Sequence, residues 1–121
     1  MITGRNDLQL ELEALPYQFH LTGSRAFGGY RSDSDYDYFC ANSPDVQEAL
    51  YKLGYENDDF SSYETASVVL KKRDIHIQLV DNFNLKLSTQ NEILSNPLYL
   101  ILIRSSDKHT KKFMWSYLMS T

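Results

Sequence analysis

The first hydrophobic pattern in the chain is that of a helix. Within residues 6–15, Leu8, Leu12 and Leu15 stand three or four positions apart, and residues at that spacing share one side of a helix. Pro16 ends the helix, because the residue before a proline disfavours helical backbone angles. The pattern therefore predicts a short helix that buries its leucine side.

Short apolar runs typical of strands come next. Residues 17–22 alternate between apolar and polar side chains, and residues 36–41 form a second run rich in aromatic residues. A helix is then predicted from Pro44 to about Leu53, because proline suits the first helical turn and Gly54 suits the position just past the last one. The first half of the chain thus contains two strands with helices on either side of them.

Two further β-rich runs, residues 64–70 and 75–80, are separated by four polar residues and predict an antiparallel hairpin. Apolar and polar residues alternate in the second run, so Asp74, His76 and Gln78 share one face of that strand. Two explanations are open for this polar face. It is either a solvated sheet face or a face that looks into a functional site.

The last part of the chain predicts helices. Residues 84–95 carry apolar side chains at helical intervals, whereas residues 98–103 are a continuous apolar run that periodicity alone does not assign. We interpret this run as a helix, because the aromatic-rich residues 108–119 follow it and the expected sheet already has its strands. The predicted fold class is therefore α/β (α+β), a small mixed β-sheet backed by helices, in a single domain over residues 1–121.

Composition restricts the setting of this domain. The 121 residues include 12 basic and 16 acidic side chains, for a net charge of −4, so avid nonspecific binding of nucleic acid is not expected. The single cysteine, Cys40, excludes an internal disulfide and is expected to be a buried thiol. Since the chain shows no signal-peptide pattern and no apolar run near membrane-spanning length, we expect a cytoplasmic protein without membrane contact.

The strongest chemical signal is a Gly-Ser turn followed by paired aspartates. Gly23 and Ser24 stand where the first strand turns into a helix, and a helix start presents unpaired backbone N–H groups to an anion such as a phosphate. Asp35 and Asp37 flank Tyr36, so in a strand both carboxylates project from the same face. Two adjacent carboxylates beside a phosphate site predict Mg²⁺, which binds hard oxygen ligands and nucleotide phosphates.

A purely structural role is the alternative for each piece of this segment. Aspartate, serine and glycine are common in loops, because they bond their own backbone or adopt positive φ. Asp35 and Asp37, however, interrupt an apolar run, and carboxylates directed into a sheet face are costly without a cation or hydrogen-bond donors. The functional interpretation is therefore favoured.

These residues resemble the signature of a known group of proteins. Residues 23–26, Gly28 and residues 33–37 read Gly-Ser-Arg-Ala, Gly and Asp-Ser-Asp-Tyr-Asp, and this order is similar to that of the polymerase-beta-type nucleotidyltransferase superfamily, especially its minimal members. The match covers about a fifth of the chain. The resemblance implies a nucleotidyltransferase fold that transfers a nucleotidyl group, AMP from ATP, to an acceptor hydroxyl on an RNA, a protein or a small molecule.

The resemblance also implies a role for each residue of the motif. Backbone amides near Gly23 and Ser24, with the Ser24 hydroxyl, would hold the β and γ phosphates of a nucleoside triphosphate. Arg25 would add a charge-assisted contact to the triphosphate. Asp35 and Asp37 would ligate one Mg²⁺ ion, with a second ion possible.

The resemblance breaks down at the third acidic position. Members of the superfamily carry a third carboxylate on the strand beside the paired aspartates, and laying residues 77–80 on the hydrophobic part of that pattern puts His76 at the carboxylate position. Asp74, one step earlier on the same face, is the other candidate for a third ligand. Since a neutral imidazole brings no negative charge to a second cation, two interpretations stay open: a transferase with His76 in its catalytic set, or an impaired binding or regulatory protein of the same fold. An antitoxin-like protein that acts on a protein partner is a variant of the second.

Residues 55–63 are polar and aromatic without a regular period. Their acidic members Glu56, Asp58 and Asp59 do not have the spacing of a calcium-binding loop. We expect this segment to be a solvated connection.

Overall fold

The computed structural model describes residues 7–28, 30–58 and 68–105, which contain five helices and five strands. The helices are α1 (Asp7–Glu13), α2 (Gly23–Phe27), α3 (Pro44–Lys52), α4 (Phe83–Leu94) and α5 (Pro97–Ser105). The strands are β1 (His20–Thr22), β2 (Tyr36–Ala41), β3 (Glu56–Asn57), β4 (Val68–Lys72) and β5 (Ile75–Val80). The aromatic-rich residues 108–119 and the first four residues of the predicted hairpin, 64–67, lie outside the described residues.

The strands form one mixed sheet in the order β1-β2-β5-β4-β3. The two central strands, β2 and β5, run parallel, and the other neighbouring pairs are antiparallel. The predicted hairpin is β4–β5, and its turn includes Arg73 at φ 54. The sheet confirms the predicted fold class, a small mixed sheet backed by helices.

One face of the sheet packs against α1 and α3 and forms the main hydrophobic core. Leu12 of α1 and Leu50 of α3 are almost fully buried there, as are Ile75, Ile77 and Leu79, the apolar alternation of β5. Burial of each such side chain contributes about 1.5–3 kcal/mol to stability. Since the apolar side of the central strands is used in this core, their polar residues lie on the opposite face.

The outer strands differ from the sequence prediction. β1 has three residues, half of the predicted run, and β3 lies within the segment that we expected to be an unpaired connection. Tyr55 is buried in the core just before β3, and Asp58 just after it donates its backbone N–H to the Val69 carbonyl at 2.8 Å. These two attachments hold the segment against β4, so Asp58 lies at the sheet and not in a free loop.

α4 is helical as predicted, and it buries two polar residues together with Ile93. Leu85 and Leu94 are 50% and 37% exposed, whereas Lys86 and Gln90 are buried. Gln90 donates its side-chain amide to the Leu21 carbonyl of β1 at 2.8 Å. The helix therefore meets the polar face of the sheet with polar side chains of its own.

α5 confirms that the apolar run after Pro97 is helical, although Leu98 is 71% exposed. The inner side of α5 packs Tyr99 and Leu100 against Phe27, the last residue of α2. Arg104 donates from Nε to the Phe27 carbonyl at 2.7 Å, a favourable contact because the carbonyls at a helix end are unpaired and partly negative. In the described part of the chain no helix is long and apolar enough to cross a membrane.

Candidate functional site

The parallel pairing of the two central strands creates the candidate site. Asp37 of β2 lies directly opposite His76 of β5, and Asp35 immediately precedes β2. The Nδ1 atom of His76 lies 3.7 Å from Asp35 Oδ2 and 3.9 Å from Asp37 Oδ1. The structure therefore brings together the three residues that the sequence analysis assigned to the catalytic set.

A third carboxylate, that of Asp58, approaches the other side of the same imidazole. Asp58 Oδ2 lies 3.5 Å from His76 Nε2. The side chains of Asp58, Asp37 and His76 are only 14%, 15% and 16% exposed, respectively. The expectation that Asp58 is a solvated acidic residue is wrong, because the pairing of β3 with β4 brings it to the polar face of the sheet.

The Gly-Ser turn lies in contact with the second aspartate. Gly23 begins α2 at φ +67, and a Cβ at this position would lie 2.5 Å from Asp37 Oδ2. Ser24, the next residue, is half-buried, and its carbonyl accepts the Gly28 N–H at 2.8 Å. The two halves of the motif, predicted from separate stretches of sequence, thus meet in one place.

Arg25 holds the loop between α2 and β2. Its guanidinium lies 4.7 Å and 4.2 Å from the ring centroids of Tyr30 and Tyr36, and its Nη2 donates to the carbonyls of Ser32 and Ser34. These contacts fix the approach of the loop to the first aspartate. A contact of Arg25 with a triphosphate stays a prediction.

Asp74, the other candidate third ligand, lies in the turn of the β4–β5 hairpin. Its backbone carbonyl accepts the Tyr36 N–H at 2.8 Å. On the core side of the sheet, the pKa of Tyr55 is raised. Burial is the largest cause, and the negative charges of Glu11 and Asp74 are among the others. Among the described residues, the carboxylates in ion-pair contact with His76 are those of Asp35, Asp37 and Asp58. The position of Asp74 therefore gives no support to a ligand role for this residue.

A buried lysine lies below the carboxylates. Lys86 of α4 is 1% exposed, and its Nζ donates to Gln78 Oε1 at 3.0 Å. Burial lowers the pKa of Lys86 to about 8, and the negative charge of Asp37 partly opposes this shift. The sequence analysis missed this residue, because it considered only the apolar positions of α4.

Lys86→Met is expected to change how stability depends on pH. Since the folded state lowers the pKa of Lys86 from 10.5 to about 8, the unfolded state binds more protons between these values, and stability rises with pH across that window. The free energy of unfolding of the parent, relative to that of Lys86→Met, should rise by about 1–3 kcal/mol between about pH 8 and pH 10.5. Urea denaturation at several pH values measures it.

The comparison of two variants removes the contribution of other titrating groups. Lys52→Met is the matched control, because the Lys52 side chain is 75% exposed and pairs only at the surface with Glu48. Its stability difference from the parent should stay nearly constant over the same pH range. An equally constant difference for Lys86→Met would contradict the lowered pKa of Lys86.

Comparison of the chain with models of protein families, with curated proteins and with solved structures finds no match. In the described residues, no group of three or more His, Cys, Asp or Glu side chains is arranged to hold a metal ion. The candidate site thus offers two neighbouring carboxylates, Asp35 and Asp37, together with a glycine turn and a histidine.

Proposed function

We propose that the protein is a nucleotidyltransferase that uses Mg²⁺ to transfer AMP from ATP to an acceptor hydroxyl. The observation that carries this proposal is the contact between the Gly23 backbone and the Asp37 carboxylate. It joins the start of a helix, which suits phosphate oxygens, to a carboxylate, which suits a divalent cation. We place this reaction in the cytoplasm, where ATP and Mg²⁺ are both present.

The donor set fits Mg²⁺ better than a metal that needs a complete protein cage. Mg²⁺ in nucleotide sites keeps several waters and takes one or two carboxylates together with phosphate oxygens. Asp35 and Asp37 would supply those two carboxylates, which lie 3.7 Å and 3.9 Å from the same atom, His76 Nδ1. When bound, the cation would neutralise phosphate charge and align the attacking and leaving oxygens.

The chain's own residues then bind and orient the nucleotide. Backbone N–H groups of Gly23 and Ser24, at the start of α2, would donate to the β and γ phosphates. Arg25 orders the loop that presents Asp35, whether or not it also reaches the triphosphate. The acceptor hydroxyl would enter beside His76, where the imidazole borders both carboxylates.

A second candidate function rests on His76 itself. Its position opposite Asp37 leaves an imidazole where the resemblance implies a carboxylate, and an imidazole contributes no negative charge to a second cation. A protein with this site could bind a nucleotide and Mg²⁺ without efficient transfer, and act through a protein partner as an antitoxin-like or regulatory component. Copurification of a stoichiometric partner together with ATP binding but no transfer would favour this function.

The direct test is transfer of label from a nucleoside triphosphate. Each α-³²P-labelled triphosphate is incubated with the protein, Mg²⁺ and a host lysate, and label is sought in RNA, protein and small molecules. We expect label from ATP in one of these fractions, with release of pyrophosphate that stops when EDTA removes the cation. Tight Mg²⁺-dependent ATP binding without label or pyrophosphate in any fraction would overturn the transferase and leave the binding protein.

A further inference from the structure

We propose that Tyr30 binds the adenine base of ATP, which stacks on the exposed face of the Tyr30 ring. This inference rests on the proposed function and adds to it a residue outside the motif. The observation that carries it is an aromatic ring that is held in place on one face and open on the other. This ring lies in the loop that leads from α2 to Asp35 and β2.

The held face of the Tyr30 ring lies against the guanidinium of Arg25, whose Cζ is 4.7 Å from the ring centroid. A cation over an aromatic face is attracted by the negative potential of the ring. The same guanidinium lies 4.2 Å from the ring centroid of Tyr36 and donates to the carbonyls of Ser32 and Ser34. Tyr30 is therefore attached to the side chain that orders the whole loop.

The rest of the Tyr30 side chain is open to solvent. Tyr30 is 52% exposed, and since Arg25 covers one face of the ring, the opposite face contributes to this exposed surface. Within the residues that the structure describes, the other exposed large aromatic side chain is Tyr51 of α3, whose hydroxyl donates to Asn57 Oδ1 at 2.6 Å. α3 packs on the core face of the sheet, so Tyr30 is the exposed aromatic ring that belongs to the loop of the site.

The base of a bound nucleotide needs such a surface. In the proposed function the phosphates would lie beside Asp35 and Asp37, and the ribose would carry the base away from them toward the rim of the site. A base gains affinity by stacking on an aromatic side chain without specific hydrogen bonds, because every base has a π-face. The loop between Tyr30 and Asp35 is also ordered by a turn, in which the Ser34 N–H donates to the Arg31 carbonyl at 3.0 Å. The ring is therefore held at a fixed place relative to the first carboxylate.

A purely structural role, in which Tyr30 only covers Arg25, is the competing explanation. Without the Tyr30 ring, Arg25 keeps its contact with Tyr36 and its two carbonyl partners. Loss of the ring should therefore leave the loop and Asp35 in place. Inorganic tripolyphosphate separates the two explanations, because it carries three linked phosphates as ATP does but has no base.

Calorimetric titration with ATP and with tripolyphosphate, both in the presence of Mg²⁺, provides the test without need of activity. We expect Tyr30→Ala to lower the affinity for ATP by about 10- to 100-fold and to leave the affinity for tripolyphosphate unchanged. Tyr30→Phe keeps the ring and should bind ATP like the parent. Tyr51→Ala is the matched control, because it removes an exposed aromatic ring from the other face of the sheet, and it should bind both compounds like the parent.

Equal affinity for ATP in Tyr30→Ala and in the parent would overturn the stacking and leave the proposed function standing. A parallel loss of affinity for ATP and for tripolyphosphate would also overturn it, because that result would show that Tyr30 only supports the loop. An equal loss in Tyr30→Phe and Tyr30→Ala would assign the effect to the hydroxyl and refute stacking of the base. A parent that bound neither compound with Mg²⁺ would instead refute the proposed function, and the stacking with it.

Discussion

Replacement of both Asp35 and Asp37 by asparagine is expected to lower the affinity for ATP in the presence of Mg²⁺ by at least about a hundredfold, or about 2.8 kcal/mol. The physical reason is the loss of two charged ligands, since each interaction with a charged group contributes about 1.5–3 kcal/mol. The backbone contact of Gly23 and the pairing of β2 with β5 do not need these charges. The variant should therefore fold and lose only the cation-dependent part of binding.

Calorimetric titration of ATP with and without Mg²⁺ measures this effect, and circular dichroism checks the fold. Asp33→Asn is the matched control, because Asp33 lies in the same loop, its side chain is 78% exposed and it pairs with Arg31 away from the cluster. The control should bind ATP and Mg²⁺ like the parent. Equal Mg²⁺-dependent affinity in the double variant and the parent would refute the metal assignment.

The sequence predicted those helices and strands whose formation depends on a local pattern of residues. β2 begins and ends at the predicted residues, and the helices after Pro44 and Pro97 are present. Alternation along residues 75–80 correctly separated the buried isoleucines from His76, because successive side chains of a strand point to opposite faces. Since β2 and β5 are neighbours, this alternation was enough to bring His76 to the aspartates.

Features that depend on long-range pairing were not predictable in the same way. β3 has only two residues, too few to show a period, so its pairing with β4 and the inward position of Asp58 left no local signal. Buried Tyr55 was the one available indication that the segment touches the core. A short edge strand of this kind forms because neighbouring residues are anchored, not because its own residues favour a strand.

The polar residues on the buried side of α4 were not predictable for a related reason. A helical pattern of leucines assigns the buried side on the assumption that the facing surface is apolar. Here the facing surface is the polar side of the sheet, where Gln78 accepts from Lys86, and a buried polar group is stable only with such a partner. The helix therefore turns its lysine inward and leaves Leu85 half-exposed.

A substitution at Gly23, in the Gly-Ser turn, separates an effect on nucleotide binding from an effect on stability. Gly23→Ala is expected to destabilise the fold by about 1–2 kcal/mol, because φ +67 is unfavourable for any residue with a Cβ. The new methyl group also meets Asp37, whose Oδ2 would be 2.5 Å away and whose own Cβ would be 3.1 Å away. Rotation of the carboxylate relieves the first contact but not the second, so the backbone of α2 and β2 must separate.

Gly54→Ala is the control that also places a Cβ at positive φ but lacks the contact. Gly54 has φ +96, and an added Cβ would lie 3.6 Å from Lys72 Cε, an ordinary van der Waals distance. Both variants should lose stability in urea denaturation, and Gly23→Ala should lose more. Only Gly23→Ala should lose affinity for ATP with Mg²⁺. We expect that loss to be about tenfold or more, since a tenfold loss requires only about 1.4 kcal/mol. Because both measurements are made at a temperature where each variant is folded, a loss of binding in Gly23→Ala alone locates the nucleotide at the turn. Equal binding by Gly23→Ala and Gly54→Ala would instead place any nucleotide away from the contact between Gly23 and Asp37.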